Sequence, residues 1–114
     1  MTPSELKELA EWLGKETFLV MDGRKADHCV IYIDPPKPHT MRYERRSIRY
    51  DPETNPDQML EVIKKFKTFQ ISNMGDHFLV RYSLSLDSGF GMSEGETFEQ
   101  AILNAALQAA RREE

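Results

Sequence analysis

One stretch of the chain concentrates side chains that can bind an anion. Within Met41–Tyr50 it contains four arginines and two tyrosines: Arg42, Arg45, Arg46, Arg49, Tyr43 and Tyr50. A guanidinium group binds phosphate or carboxylate through paired hydrogen bonds and stacks on rings, and a tyrosine ring suits a contact surface. Two explanations stay open: a surface for an anion or a partner, or the edge of a sheet that charge protects against association. Arg81, on the polar face of a predicted strand, could extend such a surface.

Other residue types with catalytic or metal-binding chemistry lack the spacing that the chemistry needs. His28 and Cys29 are sequence neighbours on a predicted strand, where adjacent side chains point to opposite faces. The histidines and carboxylates follow no metal-ligand pattern. Gly89, Gly91 and Gly95 precede a helix but form neither a dinucleotide-binding motif nor a P-loop. We therefore expect no catalytic residues, no metal and no cofactor, and hence a protein that is not an enzyme.

Length and charge limit the function classes further. The chain has 114 residues, the size of one domain, and a formal net charge of −4. Because the segment from Arg42 to Arg49 contributes +3, the remainder carries −7, which argues against a general nucleic-acid binder. The single cysteine favours a reducing compartment. No apolar run approaches the about 20 residues that span a bilayer, so we expect a cytoplasmic protein without a membrane partner.

Helix signals occur at three places. Thr2–Leu13 is predicted as a helix in which Thr2 and Glu5 form a capping box. Asn55 caps a second helix, with Gln58 completing its box. The apolar residues expected on the buried face of this second helix are Met59, Leu60, Val62, Ile63 and Phe66. A third helix, Phe98 to about Arg112, follows a further box of Thr97 with Gln100 and carries small residues that suit close packing on a sheet. These small residues are Ala101, Ala105 and Ala109.

Strand signals come in two pairs between the helices. The first pair is Thr17–Met21 and His28–Ile33, around an Asp-Gly turn, and the second is "KTFQIS" and "HFLVRYSLSL". The segment "MRYERRSIRY" has no clean apolar face and is predicted as an edge strand or an ordered loop. "DSGFGMSEGE" is predicted as a glycine-rich connection with glycines at positive φ.

The order of these elements, α-β-β-(β)-α-β-β-α, predicts the fold class. We expect one α+β domain over residues 1–114. It has a mainly antiparallel sheet of four to five strands, against which about three helices pack.

Part of this pattern resembles a known family. The shared features are an aromatic-x-Pro lead into a capped helix, a strand pair, a Gly-Glu-Thr turn and a closing helix of small residues. They are carried by Tyr50, Pro52, Asn55, Gly95, Glu96, Thr97, Ala101, Ile102, Ala105, Ala106 and Leu107. Over about residues 50–110 the chain resembles the phage ABA sandwich domain family, small phage and prophage proteins of mostly unknown function. "EWLG", Glu11 to Gly14, is similar to the family's usual start, whereas the Pro- and Arg-rich insertion Asp34–Arg49 departs from a minimal member.

Two functions follow as expectations. The resemblance, together with the missing catalytic set, implies a small non-enzymatic binding or accessory protein of phage or prophage origin. Such a protein would act in the cytoplasm of a bacterial host on a host or phage protein, in host takeover or counter-defence. The alternative is a sequestering protein for a small phosphorylated ligand such as a nucleotide, held by the Arg/Tyr cluster and Arg81. A homo-oligomer stays open.

Overall fold

The computed structural model describes residues 1–33, 46–85 and 89–112. Its elements along the chain are α1 (Pro3–Trp12), β1 (Thr17–Asp22), β2 (Lys25–Tyr32), β3 (Ser47–Arg49), α2 (Pro56–Lys65), β4 (Thr68–Asn73), β5 (Phe78–Ser83), β6 (Gly91–Gly95) and α3 (Phe98–Arg112). They fall into two units, Met1–Tyr50 and Asp51–Glu114. The single domain over residues 1–114 stays a prediction.

In the first unit, α1 begins at the predicted cap. The Oγ1 atom of Thr2 accepts from the Glu5 amide at 3.2 Å, and Glu5 Oε1 accepts from the Thr2 amide at 3.0 Å, which confirms the capping box. The helix packs on β1 and β2 through its buried Leu9 and Ala10. It ends before Gly14, whose φ of 79° is readily adopted by glycine.

The first sheet has the antiparallel order β1-β2-β3. Asp22 pairs with Lys25, so Gly23 and Arg24 form a two-residue turn, and Gly23 has the positive φ that this Asp-Gly signal predicts. The short strand β3 pairs with β2 through Arg49, Ile48 and Ser47. Among the residues that the structure describes, β3 is an edge strand of this sheet.

Cys29 of β2 is buried, and its Sγ lies 3.0 Å from the Oγ1 of Thr17. Burial raises the pKa of this thiol above its ordinary value. A raised pKa in the folded chain contributes stability that is complete below the unfolded thiol's pKa, about 8.5, and is lost as the pH rises above it. Cys29 is thus expected to lower the stability of the folded chain at alkaline pH.

As the pH rises from about 7.5 to about 9.5, across the pKa of the unfolded thiol, the chain is expected to lose more stability than Cys29→Ala loses. The reason is that the thiol loses its proton at a lower pH in the unfolded chain than in the folded chain, where burial raises its pKa. Urea unfolding of both proteins at the two pH values measures the difference. An equal loss in both proteins would contradict the prediction.

In the second unit, α2 begins at Asn55 as predicted. The Asn55 side chain accepts from the amides of Asp57 and Gln58, at 3.1 and 3.2 Å. The side chain of Gln58 is buried and accepts from the Asp51 amide at 2.7 Å, so it fixes the loop before the helix. The predicted buried face is wrong at Leu60, which is 49% exposed.

The predicted single sheet of four to five strands is wrong. The chain forms two three-stranded antiparallel sheets, β1-β2-β3 and β4-β5-β6, within an α+β fold with three helices. The strand that prediction missed is β6, which lies in the segment expected to be a glycine-rich connection and pairs with β5 from Phe78↔Gly95 to Tyr82↔Gly91.

The glycines of β6 serve close packing and have no positive φ. A Cβ added at Gly91 would stand 2.3 Å from Cζ of Tyr82, and one at Gly95 would stand 2.4 Å from the backbone nitrogen of Ala101 in α3. Glycine is required there because a neighbour approaches the backbone closely. The expectation of positive φ at these positions is therefore wrong.

Helix α3 packs on β5 and β6 as its small residues predict. The three alanines at four-residue spacing, Ala101, Ala105 and Ala109, are all fully buried. Tyr82 of β5 donates its hydroxyl hydrogen to Oε1 of Gln108 at 2.7 Å. The helix thus covers one face of β5 and β6, and the side chains at the alternate positions of these strands point to the other face.

Candidate functional site

The structure describes only part of the arginine and tyrosine cluster that the sequence contains. Arg42, Tyr43 and Arg45 lie outside the described residues. Arg46 and Arg49 are exposed, before and at the end of β3. They belong to the first unit, and Arg81 belongs to the second.

Tyr50 does not provide an exposed ring. It is 1% exposed, and its amide donates to the carbonyl of Cys29 at 2.8 Å, continuing the pairing of β3 with β2. A ring in the interior offers no face on which a ligand could stack. Tyr50 therefore does not belong to the candidate contact surface.

Arg81 lies on the face of the second sheet opposite Val80 and Tyr82. Strand register places Gln70, Arg81 and Met92 side by side in a row across β4, β5 and β6. Arg81 and Met92 are both exposed. The row therefore offers an amide, a guanidinium and an apolar side chain at one level of the sheet.

The position of the Arg81 side chain is set by an aromatic ring. Its Cζ lies 4.2 Å from the centroid of the Phe90 ring, and that ring is 57% exposed. A guanidinium over a ring face is attracted by the ring quadrupole and keeps its hydrogen-bond donors available. Among the residues that the structure describes, no carboxylate forms an ion pair with Arg81.

Arg81 and Phe90 line an open groove of about 420 Å³ together with Thr68, Phe69 and Gln70. We call these five residues the Arg81–Phe90 groove. Thr68 Oγ1 lies 2.6 Å from Ser83 Oγ, and Phe69 stacks on Phe66 with ring centroids 5.8 Å apart. Because two of its residues are held by neighbours, the β4 side of the groove is preformed.

Sequence reasoning found Arg81 but missed Phe90. Alternation along β5 separates Arg81 from Tyr82, which is a local signal. Phe90 joins the site because β6 pairs with β5, and no local pattern showed that strand. An aromatic residue between two glycines was the available clue.

Two histidines, His28 and His77, each pair with the aspartate that precedes them in the sequence. His28 Nδ1 lies 2.7 Å from Asp27 Oδ2, and His77 Nδ1 lies 2.7 Å from Asp76 Oδ1. In each pair the hydrogen bond from histidine lowers the pKa of the aspartate. Over residues 1–33, 46–85 and 89–112, no three His, Cys, Asp or Glu side chains stand close enough to hold a metal ion.

No helix within the described part of the chain combines the length and the apolar composition needed to cross a bilayer. Comparisons with protein-family models, curated proteins and solved structures find no match for this chain.

Proposed function

We propose that this protein is a non-enzymatic binding protein whose contact surface is the Arg81–Phe90 groove. The observation that carries the proposal is the Arg81 guanidinium over the exposed Phe90 ring, without a carboxylate partner among the described residues. Aromatic residues, phenylalanine included, and arginine are enriched in the cores of protein–protein interfaces. The partner is a host or phage protein that presents a carboxylate beside an apolar side chain.

The charge and the neighbours of the groove support this partner chemistry. Arg81 can bind a carboxylate bidentately, and the bond strengthens as water is excluded from it. Phe90 and Met92, both more than half exposed, supply apolar area on the same face of the sheet. A phage or prophage origin, with a role in host takeover or counter-defence, rests on the resemblance of residues 50–110 to the phage ABA sandwich domain family.

A small phosphorylated ligand is the second candidate occupant. The groove volume of about 420 Å³ lies within the range of small-molecule sites, and Thr68 and Gln70 add polar groups near the guanidinium. A phosphate would bind Arg81 while a planar base packs on Phe90. Phosphate binding by Arg42, Arg45, Arg46 and Arg49, which belong to the first unit, stays a separate prediction from the sequence.

Arg81→Ala and Phe90→Ala are each expected to weaken partner binding by about 2 kcal/mol, the scale of an interface hot spot. Both side chains are exposed, so melting temperatures should change little. The measurement is affinity capture from bacterial lysate, followed by titration of the captured protein against each variant.

Arg24→Ala and Met74→Ala are the matched controls, an exposed arginine and an exposed apolar residue in turns. They should bind as the wild type does. If the groove variants also keep full affinity, the groove is not the contact surface. Turnover of a substrate that a single substitution abolishes would contradict the non-enzymatic function.

A thermal-shift series with nucleotides separates the two occupants. A ligand at 100 times its dissociation constant stabilises the folded chain by about 2.7 kcal/mol. A shift that Arg81→Ala removes would favour the phosphorylated ligand. The absence of any shift would eliminate that candidate and leave the protein partner.

A further inference from the structure

A second concave surface lies on the helices of the second unit. It is a crevice of about 350 Å³, bordered by the loop before α2, by α2 itself and by the start of α3. We call it the helix crevice. It shares no residue with the Arg81–Phe90 groove.

The floor of the helix crevice is apolar. Met59, Leu60 and Ile63 line it from α2 and Phe98 from α3. Leu60 is 49% exposed and Phe98 is 40% exposed, although each belongs to an amphipathic helix with a buried face of its own. The floor is therefore apolar area that the fold of this unit leaves accessible.

The rim of the crevice is acidic. Glu53 and Glu99 line it from its two sides, and neither forms an ion pair with any residue that the structure describes. The bases of α2, Lys64 and Lys65, lie in its last turn, at the opposite end from Glu53. The position of Glu99 in the first turn of α3 has another explanation, because a carboxylate there interacts favourably with the helix dipole. The helix dipole does not explain why apolar side chains on the crevice floor are exposed.

The walls of the crevice are preformed. Asp51 O accepts from the amides of Thr54 and Asn55 at 3.2 and 3.0 Å, and Asp51 Oδ2 accepts from Thr54 Oγ1 at 2.9 Å. Gln58 and Asn55 fix the same loop to the first turn of α2. A site that is ordered before binding loses less entropy on association.

We propose that the helix crevice binds a basic amphipathic helix of a partner protein. Its apolar residues would pack on Leu60 and Phe98, and its lysines or arginines would pair with Glu53 and Glu99. A groove between two helices accepts the side-chain ridge of a third helix. The α2 side of the floor, from Met59 to Ile63, extends over about one helical turn, so a partner helix of about two turns covers it.

The test uses a labelled peptide of about 14 residues with leucine at positions i, i+3, i+4 and i+7 and lysine elsewhere. Fluorescence anisotropy measures its affinity for the full chain. Leu60→Ala is expected to weaken binding at least ten-fold, and Glu53→Lys with Glu99→Lys at least ten-fold as well. Added salt should weaken wild-type binding more than binding of the charge-reversed variant.

The controls change the same types of residue at other positions of the surface. Met74→Ala removes an apolar side chain of similar exposure in a turn, and Asp22→Lys reverses an exposed charge in the first unit. Both should bind the peptide as the wild type does. A scrambled peptide of the same composition, and a leucine–glutamate peptide, should bind at least ten-fold more weakly than the leucine–lysine peptide.

Three results would overturn the proposal: no binding of the leucine–lysine peptide, equal binding of the scrambled or acidic peptide, or unchanged affinity in the crevice variants. Sedimentation of the wild type and of Leu60→Ala tests a second copy of this chain as the occupant. A dimer that Leu60→Ala dissociates would replace the peptide partner. Because the peptide assay does not involve Arg81 or Phe90, its outcome is independent of the proposed function of their groove.

Discussion

Replacing Gly95 with alanine is expected to destabilise the chain by about 3 kcal/mol or more, at the upper end of overpacking effects. The added Cβ would stand 2.4 Å from the backbone nitrogen of Ala101 and 2.8 Å from its Cα. These atoms belong to α3, so a side-chain rotation cannot relieve the collision. Helix α3 or strand β6 must move, and the packing of the buried alanines is lost with it.

Thermal unfolding measures the effect of Gly95→Ala, with an expected drop of the melting temperature by about 10 °C or more. Gly89→Ala is the matched control, because Gly89 has no positive φ and its added Cβ meets nothing within 4 Å. The control should be unchanged or gain up to about 1 kcal/mol, since alanine restricts the unfolded chain. Equal melting temperatures for the two variants would contradict the close approach of β6 to α3.

Ile102→Ala is expected to cost about 2–5 kcal/mol, the range for removing a fully buried aliphatic side chain. Ile102 is 0% exposed in α3, on the helix that packs against β5 and β6. The truncation loses the favourable free energy of burying the removed methyl and methylene groups, and it leaves a cavity that the neighbouring side chains fill only in part. Urea unfolding gives the free energy change directly.

Leu60→Ala serves as the control for Ile102→Ala, because both remove an aliphatic side chain from a helix. Because Leu60 is 49% exposed, Leu60→Ala removes about half the apolar burial of a core leucine and is expected to cost about 1 kcal/mol or less. If Leu60→Ala lowered the free energy of unfolding as much as Ile102→Ala, the Leu60 side chain would be buried in solution and the helix crevice would be closed. Such a result would contradict the helix crevice as an accessible docking surface.

The same unfolding experiments test the predicted single domain. Leu9 is fully buried in the first unit and Ile102 in the second. If residues 1–114 form one domain, Leu9→Ala and Ile102→Ala should each lower the midpoint of one common transition. Two transitions, each responding to one substitution, would contradict the prediction.

Helix caps and the turn at Gly23 could be predicted from the sequence because the residues that form each of them lie within a few positions of one another. The capping box of Thr2 and Glu5, the cap at Asn55 and the turn at Gly23 all form as predicted. Each depends on hydrogen bonds or φ preferences within one turn of chain. The spacing of the alanines in α3 likewise predicted a helix that packs closely.

Strand pairing in the second sheet could not be predicted in the same way. Strand β6 contains two glycines among five residues, a composition typical of loops. It forms a strand because Gly91 accommodates Tyr82 and Gly95 accommodates α3, and both neighbours are distant in sequence or in another element. The prediction from sequence therefore missed β6.

The candidate site shows the same division. Sequence alone determined that Arg81 lies on the polar face of a strand, that the chain is acidic with a local arginine cluster, and that the helices begin at their caps. Tertiary structure decided that Phe90 lies under Arg81, that Tyr50 is buried and that Leu60 is exposed. The physical reason is that side-chain periodicity and capping act over a few residues, whereas burial and strand register depend on contacts between distant parts of the chain.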